Sequence, residues 1–198
     1  MAVFLRLMLL RWGVLGRTHR ATLCATALGL AHRSLSGVRA RLATAVDAEA
    51  FAAVVRAVAE ERRWIATEPP VDVAAFAERV RASLGGGDVL WVLEEDTGDV
   101  VGTLGLHRSE AVGVVWLGMC IVAEWRGRGG GRLLLDAAMD WLADSDLHKV
   151  ELEVWPDNAT AIALYARYGF EVEGLRRDHY LRKDGSLRSS LIMARRLT

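Results

Sequence analysis

Between Val114 and Gly131 the chain reads V-V-W-L-G-M-C-I-V-A-E-W-R-G-R-G-G-G, and this stretch restricts the fold more than any other. An apolar run of strand type enters a short loop of arginine and glycine. The loop then opens into an amphipathic helix predicted over Arg132–Ala143. Such a joint builds an anion cradle. Glycines let backbone N–H groups approach an oxyanion closely, and the helix start adds unpaired donors and partial positive charge. Arg126 and Arg128 supply charge-assisted hydrogen bonds. The expected ligand carries a pyrophosphate.

The surrounding pattern places this joint in a mixed sheet. A short strand is predicted over Arg39–Ala45, then a helix capped by Asp47 and running to about Glu61. Trp64–Pro70 is a loop, and a second amphipathic helix covers Val71–Leu84 before Gly85-Gly86-Gly87. Val89–Leu93 and Val100–Leu106 form a hairpin around Asp96-Thr97-Gly98-Asp99. The Val112–Val122 strand follows, then the glycine loop, its helix and a strand over Val150–Trp155. Asp157 or Asn158 caps a helix ended by Gly169. Phe170–Leu175 and Leu187–Ala194 close the chain as a hairpin around Lys183-Asp184-Gly185. The order β-α-α-β-β-β-α-β-α-β-β, with hairpins at both ends and crossover helices between, requires a mixed sheet.

Register narrows the ligand. No G-x-x-x-x-G-K-[ST] is present, which removes the P-loop nucleotide sites. A dinucleotide fingerprint fails as well. Counting from Gly127, the sixth position of G-x-G-x-x-G is Arg132, although Glu151 and Glu153 fall near the spacing of a ribose contact. Arg126-Gly127-Arg128-Gly129-Gly130-Gly131 instead resembles the [R/Q]-x-x-G-x-[G/A] signature of the Gcn5-related N-acetyltransferase family. Asn158 through Phe170, N-A-T-A-I-A-L-Y-A-R-Y-G-F, is similar to that family's N-x-x-A-x-x-L-Y-x-x-x-G-F helix. The resemblance covers roughly residues 38–198.

The resemblance implies an α/β (α+β) acyl-CoA N-acyltransferase fold, a mixed, mostly antiparallel central sheet flanked by helices. It implies acetyl-CoA as cosubstrate, no metal, and a primary amine as acceptor: a small amine, an amino acid or a protein N-terminus. The 126–131 loop (Arg126, Gly127, Arg128, Gly129, Gly130, Gly131) would hold the pyrophosphate. The backbone of Ile121 and Val122 would pair with the pantetheine arm, with a main-chain N–H near Met119–Cys120 at the thioester carbonyl. Tyr165 is the implied general acid toward the CoA sulfur; a phenol near pKa ~10 donates to a thiolate whose conjugate acid lies near ~8.5. Asn158 caps its helix and contacts the cofactor side.

The general base stays open at this level. Val112–Val122 carries no carboxylate, which leaves Glu110, Glu68, His179 or a water relay. The resemblance implies an acceptor pocket between the 63–70 loop and the final hairpin. Trp64 would give an apolar wall, Glu68 an anion for the ammonium, and Arg188 a partner for a carboxylate. The missing base also leaves an alternative, a CoA-binding regulatory module without catalysis.

Composition sets the remaining expectations. The formal net charge of +0 hides an asymmetry. Residues 1–46 hold seven arginines and no acid, so the remaining 18 basic and 25 acidic groups leave residues 47–198 at −7. No basic nucleic-acid face is visible there. The two cysteines, Cys24 and Cys120, form neither a disulfide framework nor a metal pattern, which points to a reducing cytoplasm. Residues 1–37 read as an extension to a domain spanning 38–198. Arg6, Arg11, Arg17 and Arg20 break its apolar runs below the roughly 20 residues a spanning helix needs. A dispensable extension or mis-assigned start, an ordered or membrane-surface arm, and a targeting segment are the readings of it. No membrane partner is expected for the domain, and a homodimer is the default assembly.

Overall fold

The structure is a computed structural model that describes residues 34–35 and 37–197. The expectations for residues 1–33 lie outside them. Eight strands form one sheet: β1 (Ser34–Leu35), β2 (Val38–Leu42), β3 (Val89–Glu95), β4 (Val100–Arg108), β5 (Val114–Ile121), β6 (Lys149–Val154), β7 (Glu171–Leu181) and β8 (Leu187–Arg196). Among the described residues four α-helices flank it: α1 (Ala48–Glu60), α2 (Val73–Gly85), α3 (Gly130–Ala143) and α4 (Ala159–Arg167). The strand order is β1-β2-β3-β4-β5-β6-β8-β7. Every pair is antiparallel except β5 with β6. This is the mixed, mostly antiparallel sheet expected from the hairpins and crossovers.

Burial alternates as the sequence requires. Val115 and Leu117 of β5, with Val150, Leu152 and Val154 of β6, pack under Leu133, Leu134, Leu135 and Ala138 of α3 and Tyr165 of α4. A second cluster on the α1–α2 side joins Phe51, Ala52 and Val55 of α1 and Ala77 and Val80 of α2 to Leu90 and Val92 of β3. Cys120 packs against that second cluster. Each helix therefore covers one sheet face with one apolar stripe.

The parallel pair matters most for the site. β5 and β6 are in register only over Val114–Trp116 and Lys149–Glu151. Beyond that, β5 stays paired with β4 and β6 with β8, and the two strands separate. A wedge-shaped opening is left in the middle of the sheet, bordered by Leu117–Ile121 on one side and Leu152–Val154 on the other.

Three local expectations are corrected. Asp47 does not cap α1; its carboxylate accepts from both Arg41 Nη groups at 2.9 and 2.7 Å and from the Thr44 N–H at 2.7 Å. A guanidinium outcompetes a helix-start amide for the same oxygens. Helix α3 begins at Gly130 rather than Arg132, so the last two glycines form its first turn. Ser34–Leu35, inside the segment set apart as an extension, pairs with β2 as an edge strand, so the sheet starts before Val38. Among the described residues no helix is long and apolar enough to cross a membrane.

Candidate active site

The glycine loop leaves β5 at the mouth of the opening. Gly127 (φ 72°) and Gly129 (φ 88°) sit in the left-handed region, where a Cβ is strained. A Cβ on Gly130 would also lie 2.5 Å from Leu93 Cδ2. Among the described residues, the backbone N–H groups of Gly127, Arg128 and Gly129 donate to no other backbone group. Those of Gly130 and Gly131 belong to the first helical turn, which leaves its donors unpaired. Five consecutive amides at a helix start are therefore left without a backbone acceptor, and such a run fits a pyrophosphate.

The two arginines of the loop part company. Arg128 is exposed, stacks over Trp125 at 5.2 Å and has no carboxylate partner among the described residues. Arg126 is committed elsewhere: its Nε donates to the Ile121 carbonyl at 2.8 Å, and its two Nη groups donate to Glu61 at 2.7 and 2.5 Å. The expected side-chain contact of Arg126 to phosphate is corrected on this ground. Arg126 holds Glu61 below the usual carboxylate range. Trp64 joins the same knot, with its indole N–H on Glu61 at 2.6 Å and its ring under Arg126 at 5.5 Å and Arg63 at 4.5 Å. Arg126 thus ties the end of α1 to the cradle.

Backbone register decides which groups of β5 face the opening. The Val122 N–H donates to Val101 at 3.0 Å, and the Val122 carbonyl accepts from Trp125. Both groups of Val122 are used, which corrects its assignment to the pantetheine. In an antiparallel ladder alternate residues face opposite neighbours, so Met119 and Ile121 turn into the opening. The Met119 N–H is the main-chain donor available at a thioester carbonyl there. Asn158 caps α4 through its Oδ1, which accepts from the Ala161 N–H at 3.2 Å.

Tyr165 reaches the opening from α4. Its ring packs at 5.7 Å from Phe170, and only 6% of the residue is exposed. Burial, with the nearby Cys120 adding to it, raises its pKa well above the ordinary phenol value, so it stays protonated. Cys120 is the neighbouring thiol; burial pushes it up to about 12, which makes it a packing residue rather than a nucleophile.

The candidate bases fare differently. Glu110 lies in the β4–β5 turn, at the end of β5 remote from the cradle. Five residues of strand, about 17 Å, separate Val115 from Cys120, and Glu110 lies beyond Val115. It is removed from the site. Glu68 is tied down, accepting from the Lys183 N–H at 3.0 Å and facing Arg182 Nε at 3.3 Å. His179 is exposed, edge-on to Tyr180 at 4.9 Å. Arg188 faces a carboxylate of its own chain, Asp157, with two contacts of 2.9 Å, and donates to the Arg63 carbonyl.

Sequence reasoning missed Glu153. Because Val150, Leu152 and Val154 fill the core, Glu153 and Trp155 project from the opposite face of β6. That face also carries Cys120 across the opening. Glu153 accepts hydrogen bonds from Tyr180 Oη at 2.7 Å and Ser190 Oγ at 2.9 Å, and from Arg176. Its side chain is 9% exposed. The signal was present: a glutamate inside V-E-L-E-V-W, five residues before the cap Asn158. Among the described residues no group of three His, Cys, Asp or Glu is placed to hold a metal ion.

A separating parallel pair, an amide cradle at a helix start and a buried tyrosine between them define an acyl-CoA N-acyltransferase architecture. The chain belongs to the acetyltransferase (GNAT) family, whose sequence profile matches residues 51–170. It is 35% identical over 105 residues to the L-amino acid N-acetyltransferase of Escherichia coli, across 50% of this chain and 62% of that one. The chain therefore spans less than two thirds of that relative's length. Among solved structures, the ribosomal-protein-alanine N-acetyltransferase of Brucella melitensis superposes with a TM-score of 0.73 at 25% identity, over 80% of this chain and 99% of that one. The phosphinothricin acetyltransferase of Sinorhizobium meliloti, solved in complex with AcCoA, has the same fold, with a TM-score of 0.72 at 22% identity over 81% and 89%.

Proposed function

We propose that this protein transfers an acetyl group from acetyl-CoA to a primary amine: a small amine, an amino acid or a protein N-terminus. The observation that carries the reading is the alignment of the five-amide cradle with the opening between β5 and β6. Acetyl-CoA supplies an activated acyl group on a thioester leaving group. The chain's own residues supply the rest. The 127–131 amides and Arg128 bind the pyrophosphate. The Met119 N–H faces the carbonyl oxygen as negative charge develops on it. Glu153 takes the proton lost by the amine as the N–C bond forms, directly or through one water. Tyr165 gives its proton to the sulfur as the C–S bond breaks.

Glu153 also weakens the alternative of a non-catalytic CoA-binding module. That alternative rested on the lack of a carboxylate in β5, and β6 brings one to the same opening. The test is release of free CoA thiol from acetyl-CoA across a panel of primary amines. Thiol release that depends on an amine is the expected result; CoA binding with no release for any amine would return the regulatory reading.

A further inference from the structure

Among the described residues four glycines lie inside strands: Gly102 and Gly105 of β4, Gly118 of β5 and Gly174 of β7. A strand glycine weakens its strand, and it marks a bulge, a bend or the close approach of another group. Three of the four have such a reason within the chain. A Cβ on Gly102 would meet the Cys120 carbonyl, Ile121 and Leu93, each at 3.2 Å. A Cβ on Gly105 would lie 2.5 Å from His107 Nε2 and 2.9 Å from Leu90 Cδ2. Gly174 sits at a bulge, where the β7–β8 register shifts. Gly118 has none of these reasons. The β4–β5 register runs through it without a shift, and its φ lies outside the left-handed region. A Cβ on it would meet nothing within 4 Å.

That empty space stands at the reacting centre. Val115 and Leu117 face the core under α3, so Trp116, Gly118 and Cys120 face the other side of the sheet. Glu153 projects from that same side of β6. The last paired residues across the opening are Trp116 and Glu151. One alternation further, Gly118 and Glu153 stand across the opening from each other, where the strands have parted. The peptide that follows Gly118 carries the Met119 N–H. The space over Gly118 therefore lies between the donor assigned to the carbonyl oxygen and the carboxylate assigned to the amine proton. The attacking nitrogen and the carbon that bears it belong there. Trp116 and Cys120, each half-buried, bound the space along the strand.

We propose that Gly118 is a specificity-determining residue: the amine-bearing carbon of the acceptor lies over it, and the missing side chain makes room for a substituent on that carbon. The favoured acceptor is an amine on a substituted carbon, as in an amino acid or an N-terminal residue with a side chain, over an amine on a plain CH2 group. The inference rests on the acetyl-transfer reading given above.

The experiment measures thiol release with matched acceptors: glycine against L-alanine, Gly-Gly-Gly against Ala-Gly-Gly, and ethylamine against isopropylamine. In at least one series the unmodified chain should use the substituted member as well as, or better than, its partner. Gly118→Ala should then lower kcat/KM for that substituted acceptor by about tenfold or more, the effect of forcing a methyl group into a filled space. The unsubstituted partner should change by less than about threefold, and CoA affinity by calorimetry should hold. The variant has room to fold, since the added Cβ meets no atom of the chain. Its melting midpoint should be equal or higher, because alanine leaves the unfolded chain less freedom than glycine. The ratio of the two acceptors is taken within one preparation, so any loss of folded protein cancels from it.

An unchanged ratio in Gly118→Ala would overturn the assignment of Gly118 and leave acetyl transfer standing. So would preference of the unmodified chain for the unsubstituted member in every series. A lowered melting midpoint would overturn it too, because the chain itself would then occupy the space. If no amine releases thiol from acetyl-CoA, the acetyl-transfer reading fails and the assignment of Gly118 falls with it.

Discussion

Glu153→Gln separates a catalytic carboxylate from a structural one. The side chain keeps its shape and loses its charge and its capacity to take a proton. Its hydrogen bonds set the stability cost. The amide oxygen must face Arg176, because an NH2 there would oppose a donor to a donor. The NH2 then faces Tyr180 Oη and Ser190 Oγ, and both hydroxyls can turn to accept. What is lost is the charge assistance on the Arg176 bond, about 1 kcal/mol as a charged bond becomes a neutral one. Thermal melting should therefore show a small loss. Kinetics should show a large one: removing a general base costs about 10²- to 10⁴-fold in kcat. The affinity for CoA, held at the cradle across the opening, should stay unchanged by calorimetry. A kcat within threefold of the unmodified chain would refute the assignment. So would a loss of activity that merely tracked the loss of folded protein.

The remaining predictions read other parts of the same frame. Tyr165→Phe should lower kcat by about tenfold to a hundredfold with CoA affinity unchanged, since a hydroxyl donor to the leaving sulfur acts only in the transition state; weaker CoA binding with full kcat would remove the acid role. Arg128→Ala should raise the acetyl-CoA KM about fivefold, an effect that fades as salt rises because the guanidinium is exposed. Asp47→Asn should cost about 2 kcal/mol at pH 7, because Arg41 above all holds the Asp47 pKa down from 3.8 to about 2. That stabilisation is complete above pH 4 and lost as pH falls toward 2, so the gap between the two denaturation curves should close over that window.

Much of this frame was legible because it rests on local chemistry. Glycines at 127 and 129 announce left-handed turns, Asn158 announces a cap, and alternating Val150, Leu152 and Val154 announce a strand with one buried face. The site roles that were not legible depend mostly on pairs distant in sequence. Arg126 looks like a phosphate ligand within its own loop, but Glu61 is 65 residues away and claims it. Glu110 looks close to the strand proposed to meet the thioester, yet strand direction puts it at the far end from the cradle. Glu153 was visible only as a charge beside another, Glu151, until β5 and β6 separated. Where the strands stay in register, Glu151 sits opposite Trp116 and pairs with Lys149. Two residues on, the strands have parted, and the same alternation delivers Glu153 to the opening. The geometry that would make room for a thioester is thus also what turns an ordinary strand glutamate into the candidate carboxylate of the site.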